Sequence, residues 1–122
     1  MADQYPITQA EFRAWLETKR PTAVVGRRMH GVGCPIGCYL TARGDEFDVV
    51  VPSTILVSPG IYKQTPPWAH AFIRLVDGSG AYHTNIQART ALRLLDRVAH
   101  ASLPADELDH EHLSLELEAV NE

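Results

Sequence analysis

The chain has 122 residues, two cysteines and a net charge of −4. That length fits a single domain able to bury a core without disulfides or a structural metal, and no apolar run reaches the ~20 residues of a membrane-spanning helix. The charge is uneven: residues 1–101 hold all eleven Lys and Arg with eight of the fifteen acids, a net +3, and residues 102–122 hold the other seven acids alone, a net −7.

The first residues show no basic stretch followed by an apolar one, so no secretory signal is expected. Cys34 and Cys38 lie four apart. A disulfide there would close almost no loop, so a reducing, cytoplasmic setting is the simpler expectation.

Thr8-Gln9-Ala10-Glu11 is a capping box that opens a helix to about Thr18, with Phe12, Trp15 and Leu16 on its buried face and Lys19-Arg20-Pro21 ending it. Ala23-Val24-Val25-Gly26 reads as a short strand. Cys34 precedes Pro35, a residue favoured at the first helical position, so a short helix is predicted over 35–43 with Gly44 as its stop and Ile36, Tyr39 and Leu40 inward. Phe47, Val49 and Val51 alternate with Asp48 and Val50 as one face of a strand, Thr54–Val57 is a second strand, and Ile61-Tyr62 starts a third. Thr65 then caps a helix with Pro66 first in it, running to Asp77 with Trp68, Phe72, Leu75 and Val76 inward. Thr84-Asn85-Ile86-Gln87 is a second capping box, opening a helix to about Ala99 whose stripe is Ala88, Ala91, Leu92, Leu95 and Val98.

Pro104 sets off the tail. Leu113, Leu115, Leu117 and Ala119 alternate as in a strand, while Leu113, Leu117 and Val120 also fit a helical face. The expected architecture is α+β: a small sheet of short strands covered by about four helices in one domain (1–101), followed by an acidic tail (102–122) that docks as a strand or a helix.

Suggestive chemistry concentrates between Arg27 and Cys38. His30, Cys34 and Cys38 offer one nitrogen and two thiolates to a metal, although a closed zinc site normally shows four spaced ligands. Cys34 at a helix N-terminus near Arg27, Arg28 and His30 is a candidate low-pKa thiol, yet it lacks a visible base and orienter. Gly31, Gly33 and Gly37 superficially suggest a phosphate cradle, without the Gly-Lys-Ser/Thr that would support it. Arg89, Arg93 and Arg97 form a ridge at i, i+4, i+8 that, with Arg27 and Arg28, could meet phosphates, but the chain has a pI of about 5.8 and no nucleic-acid motif.

The segments Glu11–Leu16, Val24–Gly26, Cys34-Pro35-Ile36-Gly37-Cys38-Tyr39-Leu40 and Pro67-Trp68-Ala69-His70-Ala71-Phe72, in that order, resemble a group of small bacterial proteins with a CPxxxYL segment and a later PxWAxxF helix. The resemblance covers residues 8 to about 98. It implies no activity, cofactor or catalytic residue, and its pattern leaves position 38 open.

With no complete catalytic constellation, the leading expectation is a non-enzymatic interaction or regulatory protein. It would need no cofactor and no membrane, and would work through a protein partner or self-association, including a homodimer, of the acidic tail. A metal- or thiol-dependent enzyme centred on His30, Cys34 and Cys38 is the alternative, and a nucleic-acid binder using Arg27, Arg28 and the arginine ridge is the third and disfavoured class.

Overall fold

The computed structural model describes residues 3–101; the expected tail, 102–122, lies outside them. The chain is an α+β protein of four helices and two small antiparallel sheets. In order, α1 is Gln9–Glu17, β1 Val24–Arg27, α2 Pro35–Arg43, β2 Val49–Val50, β3 Thr54–Ser58, β4 Ile61–Gln64, α3 Pro67–Gly78, β5 Asn85–Gln87 and α4 Ala88–Ala101. Among the described residues no helix is long and apolar enough to cross a membrane.

The helices start and stop where local chemistry directs. The Thr8 hydroxyl accepts from the Glu11 amide at 3.2 Å and donates to the Glu11 carboxylate at 2.9 Å, closing the first turn of α1. Helix α2 has Pro35 at its start and ends on Gly44 at φ +84°, the left-handed conformation that glycine adopts without penalty. Phe12 joins these helices to α3: its ring lies 5.3 Å from Tyr39, 5.6 Å from Trp68 and 5.1 Å from Phe72, centroid to centroid. Leu16, Ile36, Leu40, Leu75, Val76, Leu94, Leu95 and Val98 complete the buried interior, and Arg13 pairs with Asp96 where α1 meets α4.

The two sheets are separate. β2, β3 and β4 form a meander, with Val50 opposite Ile55 and Leu56 opposite Tyr62. The N-terminal segment borders it: the Tyr5 amide donates to the Gln64 carbonyl and the Gln64 amide to the Asp3 carbonyl. β1 pairs antiparallel with β5, Arg27 opposite Asn85 and Gly26 opposite Ile86, and the register shifts between Val24 and Gly26.

Three expectations are corrected. The second capping box does not form: Asn85–Gln87 is strand β5, and Thr84 donates to the Ala81 carbonyl and accepts from Arg28, so α4 begins at Ala88. Helix α3 is capped at Pro66, not Thr65, because the buried Thr65 hydroxyl donates instead to the Val51 carbonyl. In β2 the inward residue is Val50, 4% exposed, while Val51 is 42% exposed, so the assumed face is reversed. The register opposite β3, with Val50 against the fully buried Ile55, decides which face turns in.

Candidate functional site

β1 delivers the chain into a tight loop that returns to the start of α2. Gly26 lets the two approach: a Cβ there would lie 2.5 Å from the Pro35 nitrogen and 2.8 Å from the Cys34 carbonyl carbon. The loop is pinned on every side. The Arg27 amide donates to the Gly33 carbonyl, the Val50 amide to the Gly31 carbonyl, and the Met29 amide to the Asp77 carboxylate at 3.0 Å. Met29 holds φ +55°, an uncommon conformation for a side-chain-bearing residue.

The neighbouring arginines play opposite parts. The half-buried Arg28 guanidinium donates to the Ser79 hydroxyl at 3.0 Å, the Thr84 hydroxyl at 2.7 Å and the Asn85 carbonyl at 3.1 Å, clamping β5 and the segment before it. Arg27 is exposed. Of the expected ridge, Arg89 and Arg93 are exposed and Arg97 is half-buried; the Arg89 guanidinium donates to Gln87 at 2.9 Å. The ridge and the Arg27–Cys38 segment do not converge on one hollow, since no residue of α4 lines either hollow described below.

His30, Cys34 and Cys38 are close in sequence, but each serves nearby backbone. His30 Nδ1 accepts from the Gly33 amide at 2.7 Å, Cys34 Sγ accepts from the Gly37 amide at 3.4 Å, and the Cys38 thiol donates to the Gly33 carbonyl at 3.4 Å. Among the described residues no three His, Cys, Asp or Glu side chains gather as a metal ion requires. The surroundings of the thiols do not favour the reactive reading either. Burial pushes Cys34 up to about 11, outweighing the Gly37 and Ile36 amides that favour its thiolate, and burial raises Cys38 as well. An interior cysteine of this kind is a weak nucleophile. The amides of Gly33 and Gly37, which a phosphate cradle would offer, are already bonded.

What the loop does create is a groove. Its volume is about 540 Å³. It is lined by Trp15 of α1, Lys19 just beyond that helix, Ala23–Arg27, and His30, Gly33 and Cys38. The groove takes its longest continuous lining from β1 and the residue before it, and no β5 residue lines it. β1 carries an irregularity at Val25, between paired Val24 and Gly26, its Val24 side chain is 56% exposed, and its Arg27 amide is held by the Gly33 carbonyl. Lys19 lies 5.1 Å over the Trp15 ring, and Arg27 follows at the far end of the strand. Its charge is therefore positive and its lining largely apolar.

A smaller hollow of about 210 Å³ lies on the other side of His30, bounded by Met29, Cys34, Val50, Ile73 and Asp77. Burial raises the Asp77 carboxyl above the usual range, partly offset by the Met29 amide. Sequence reasoning missed Trp15, Lys19 and Asp77 as site residues. The first had a sufficient reading as core, the second as a helix-end cation and the third as a helix terminus.

No protein-family model, curated protein or solved structure matches the chain.

Proposed function

We propose that this protein is a non-enzymatic interaction module whose groove takes an extended, acidic segment of a partner protein with alternating apolar side chains. The observation that supports it is the largely apolar groove along β1, lined by Trp15 and Val24 and carrying the cations Lys19 and Arg27. An extended segment suits such a groove: its alternate side chains read the walls, and its main chain can add hydrogen bonds. Every second side chain of the guest would pack on Val24 and Trp15, and the intervening carboxylates would face the two cations. The engaged state of His30, Cys34 and Cys38 favours this reading over metal or thiol catalysis.

The probe is an acetylated and amidated peptide of alternating Leu and Glu, titrated while Trp15 fluorescence is followed at low ionic strength. Saturable binding is expected, weakened at least tenfold in the Lys19→Glu, Arg27→Glu double variant and by N-methylation of alternate peptide amides. Both residues are exposed, so the variant should keep the thermal midpoint of the parent. Binding indifferent to charge reversal and to N-methylation would overturn the reading.

A further inference from the structure

The smaller hollow beside His30 differs from the groove in charge: it is lined by a carboxylate and, among the described residues, by no Lys or Arg. Ile73 and Asp77 reach it from the last two turns of α3, a helix of 12 residues with no basic residue in its last turn. Asp77 stands where a cation would be favoured, so its charge adds to the partial negative charge of the helix end. The carboxylate accepts from the Met29 amide at 3.0 Å and enters no ion pair among the described residues. Neighbouring cations are engaged elsewhere: Arg28 donates to Ser79, Thr84 and Asn85, and Lys19 and Arg27 line the groove. Burial raises the Asp77 carboxyl, with only the Met29 amide to offset it. The two other titratable groups at the hollow bring no positive charge. The Cys34 thiol is raised by burial and further by Asp77, and His30 Nδ1 accepts from the Gly33 amide, as the neutral ring does. Met29, Val50, Val51, Pro52 and Ile73 make the walls apolar.

We infer that this hollow is a binding site for an ammonium group on a short aliphatic stem, the chemistry shared by free alkylamines and the lysine side chain. The carboxylate and the helix end receive the charge, and the apolar walls receive the methylenes. A carboxylate partly withdrawn from water gains most from a partner of opposite charge, since desolvation penalises it when alone. An uncharged guest would exclude water from Asp77 without pairing it, and an anion would be repelled. Size agrees with this class. The hollow holds about 210 Å³, and an apolar protein cavity of about 150 Å³ takes benzene, so a guest of roughly five to eight heavy atoms fits. The hollow and the groove share only His30, so the inference stands apart from the groove reading.

The test follows the Met29 amide, which donates to Asp77, by NMR of the full ¹⁵N-labelled chain at neutral pH and constant ionic strength. The probes are n-butylammonium, its uncharged counterpart 1-butanol and its reversed-charge counterpart butyrate. A saturable shift of the Met29 amide is expected with n-butylammonium, bound at least tenfold more tightly than 1-butanol, and no saturable shift with butyrate. Asp77→Asn keeps an oxygen for the Met29 amide and removes the charge, so it should retain the parent's thermal midpoint and bind n-butylammonium at least tenfold more weakly. Nα-acetyl-lysine N-methylamide carries the same stem on a peptide unit and separates the two sources. Binding as tight as that of n-butylammonium, or tighter, assigns the site to a lysine side chain, and weaker binding assigns it to a free alkylamine. A Met29 amide unmoved by n-butylammonium would overturn the inference. So would equal affinity for n-butylammonium and 1-butanol, saturable binding of butyrate, or an Asp77→Asn variant that binds n-butylammonium as the parent does.

Discussion

In the β2–β3–β4 meander each strand pairs with the next one along the chain, β3 and β4 being joined by a turn at Pro59-Gly60. β1 and β5 meet instead across most of the domain, with Arg28 and Thr84 separated by 56 positions. The meander presents Ile61 and Tyr62 to solvent and meets only the smaller hollow, at Val50, whereas the β1–β5 pair is packed by α2 and α4 and its β1 lines the larger groove. The difference teaches where a small α+β fold can place a site. A sheet closed by distant segments is held by clamps and close approaches, such as Arg28 on β5 and Gly26 against Cys34–Pro35, and the groove is lined beside them.

The comparison breaks first at Gly26. Gly26→Val would drive its side chain into the Cys34–Pro35 backbone, which has no flexible end to yield. A loss of about 3 kcal/mol or more is expected in urea unfolding, near the upper range for overpacking. A variant with the parent's midpoint would mean that β1 and α2 separate easily and that the groove walls are not fixed.

Arg28→Ala should cost about 2 kcal/mol, since it removes three bonds from a charged donor and leaves part of the clamp unpaired. Arg27→Ala should stay within about 0.5 kcal/mol, as exposed substitutions do. Equal effects from these neighbours would erase the distinction between clamp and groove cation.

A pH series sharpens the account of the α2 N-terminus. The Cys34 thiol titrates near 9.0 when unfolded and about 11 when folded. Between those values the unfolded chain has released its proton while the folded chain retains it, so stability falls as pH rises from 9 to 11, by on the order of 1–2 kcal/mol. Tyr5, also raised chiefly by burial, to about 12, contributes in the same direction above pH 10. Cys34→Ala should flatten the loss between pH 9 and 10 in particular; an unchanged slope would count against the buried thiol as its source. A modest effect belongs to the meander: Gly60→Ala places a side chain at φ +80° with open space around it, for a cost of about 1 kcal/mol in the same unfolding measurement.

Sequence was most legible where the deciding interactions are local. Thr8 and Glu11 sit one turn apart, and Cys34-Pro35 and Gly44 bracket α2, so both helices could be read nearly to the residue. Thr84–Gln87 met the same local rule and still became a strand, because Arg28 and β1 act on it from far along the chain. At Cys34, too, local signals are incomplete. A helix N-terminus and nearby cations argue for a thiolate, yet a sulfur in a 4% exposed residue is governed by desolvation. The groove was the least visible feature: Trp15, Lys19 and Val24 each satisfy an ordinary structural reading, and only the turn of β1 past α1 sets them side by side.

The long span between β1 and β5 also has a temporal consequence. As the chain leaves a ribosome, α1, α2 and the β2–β4 meander can form from neighbouring segments, but β1 must wait until Asn85–Gln87 has emerged. During that interval both edges of β1 lack a strand partner, and closing so large a loop adds an entropic barrier that local hairpins do not meet. The slow step of folding should therefore be the arrival of β5 and α4. Folding then ends as β5 pairs with β1, the strand that lines the groove.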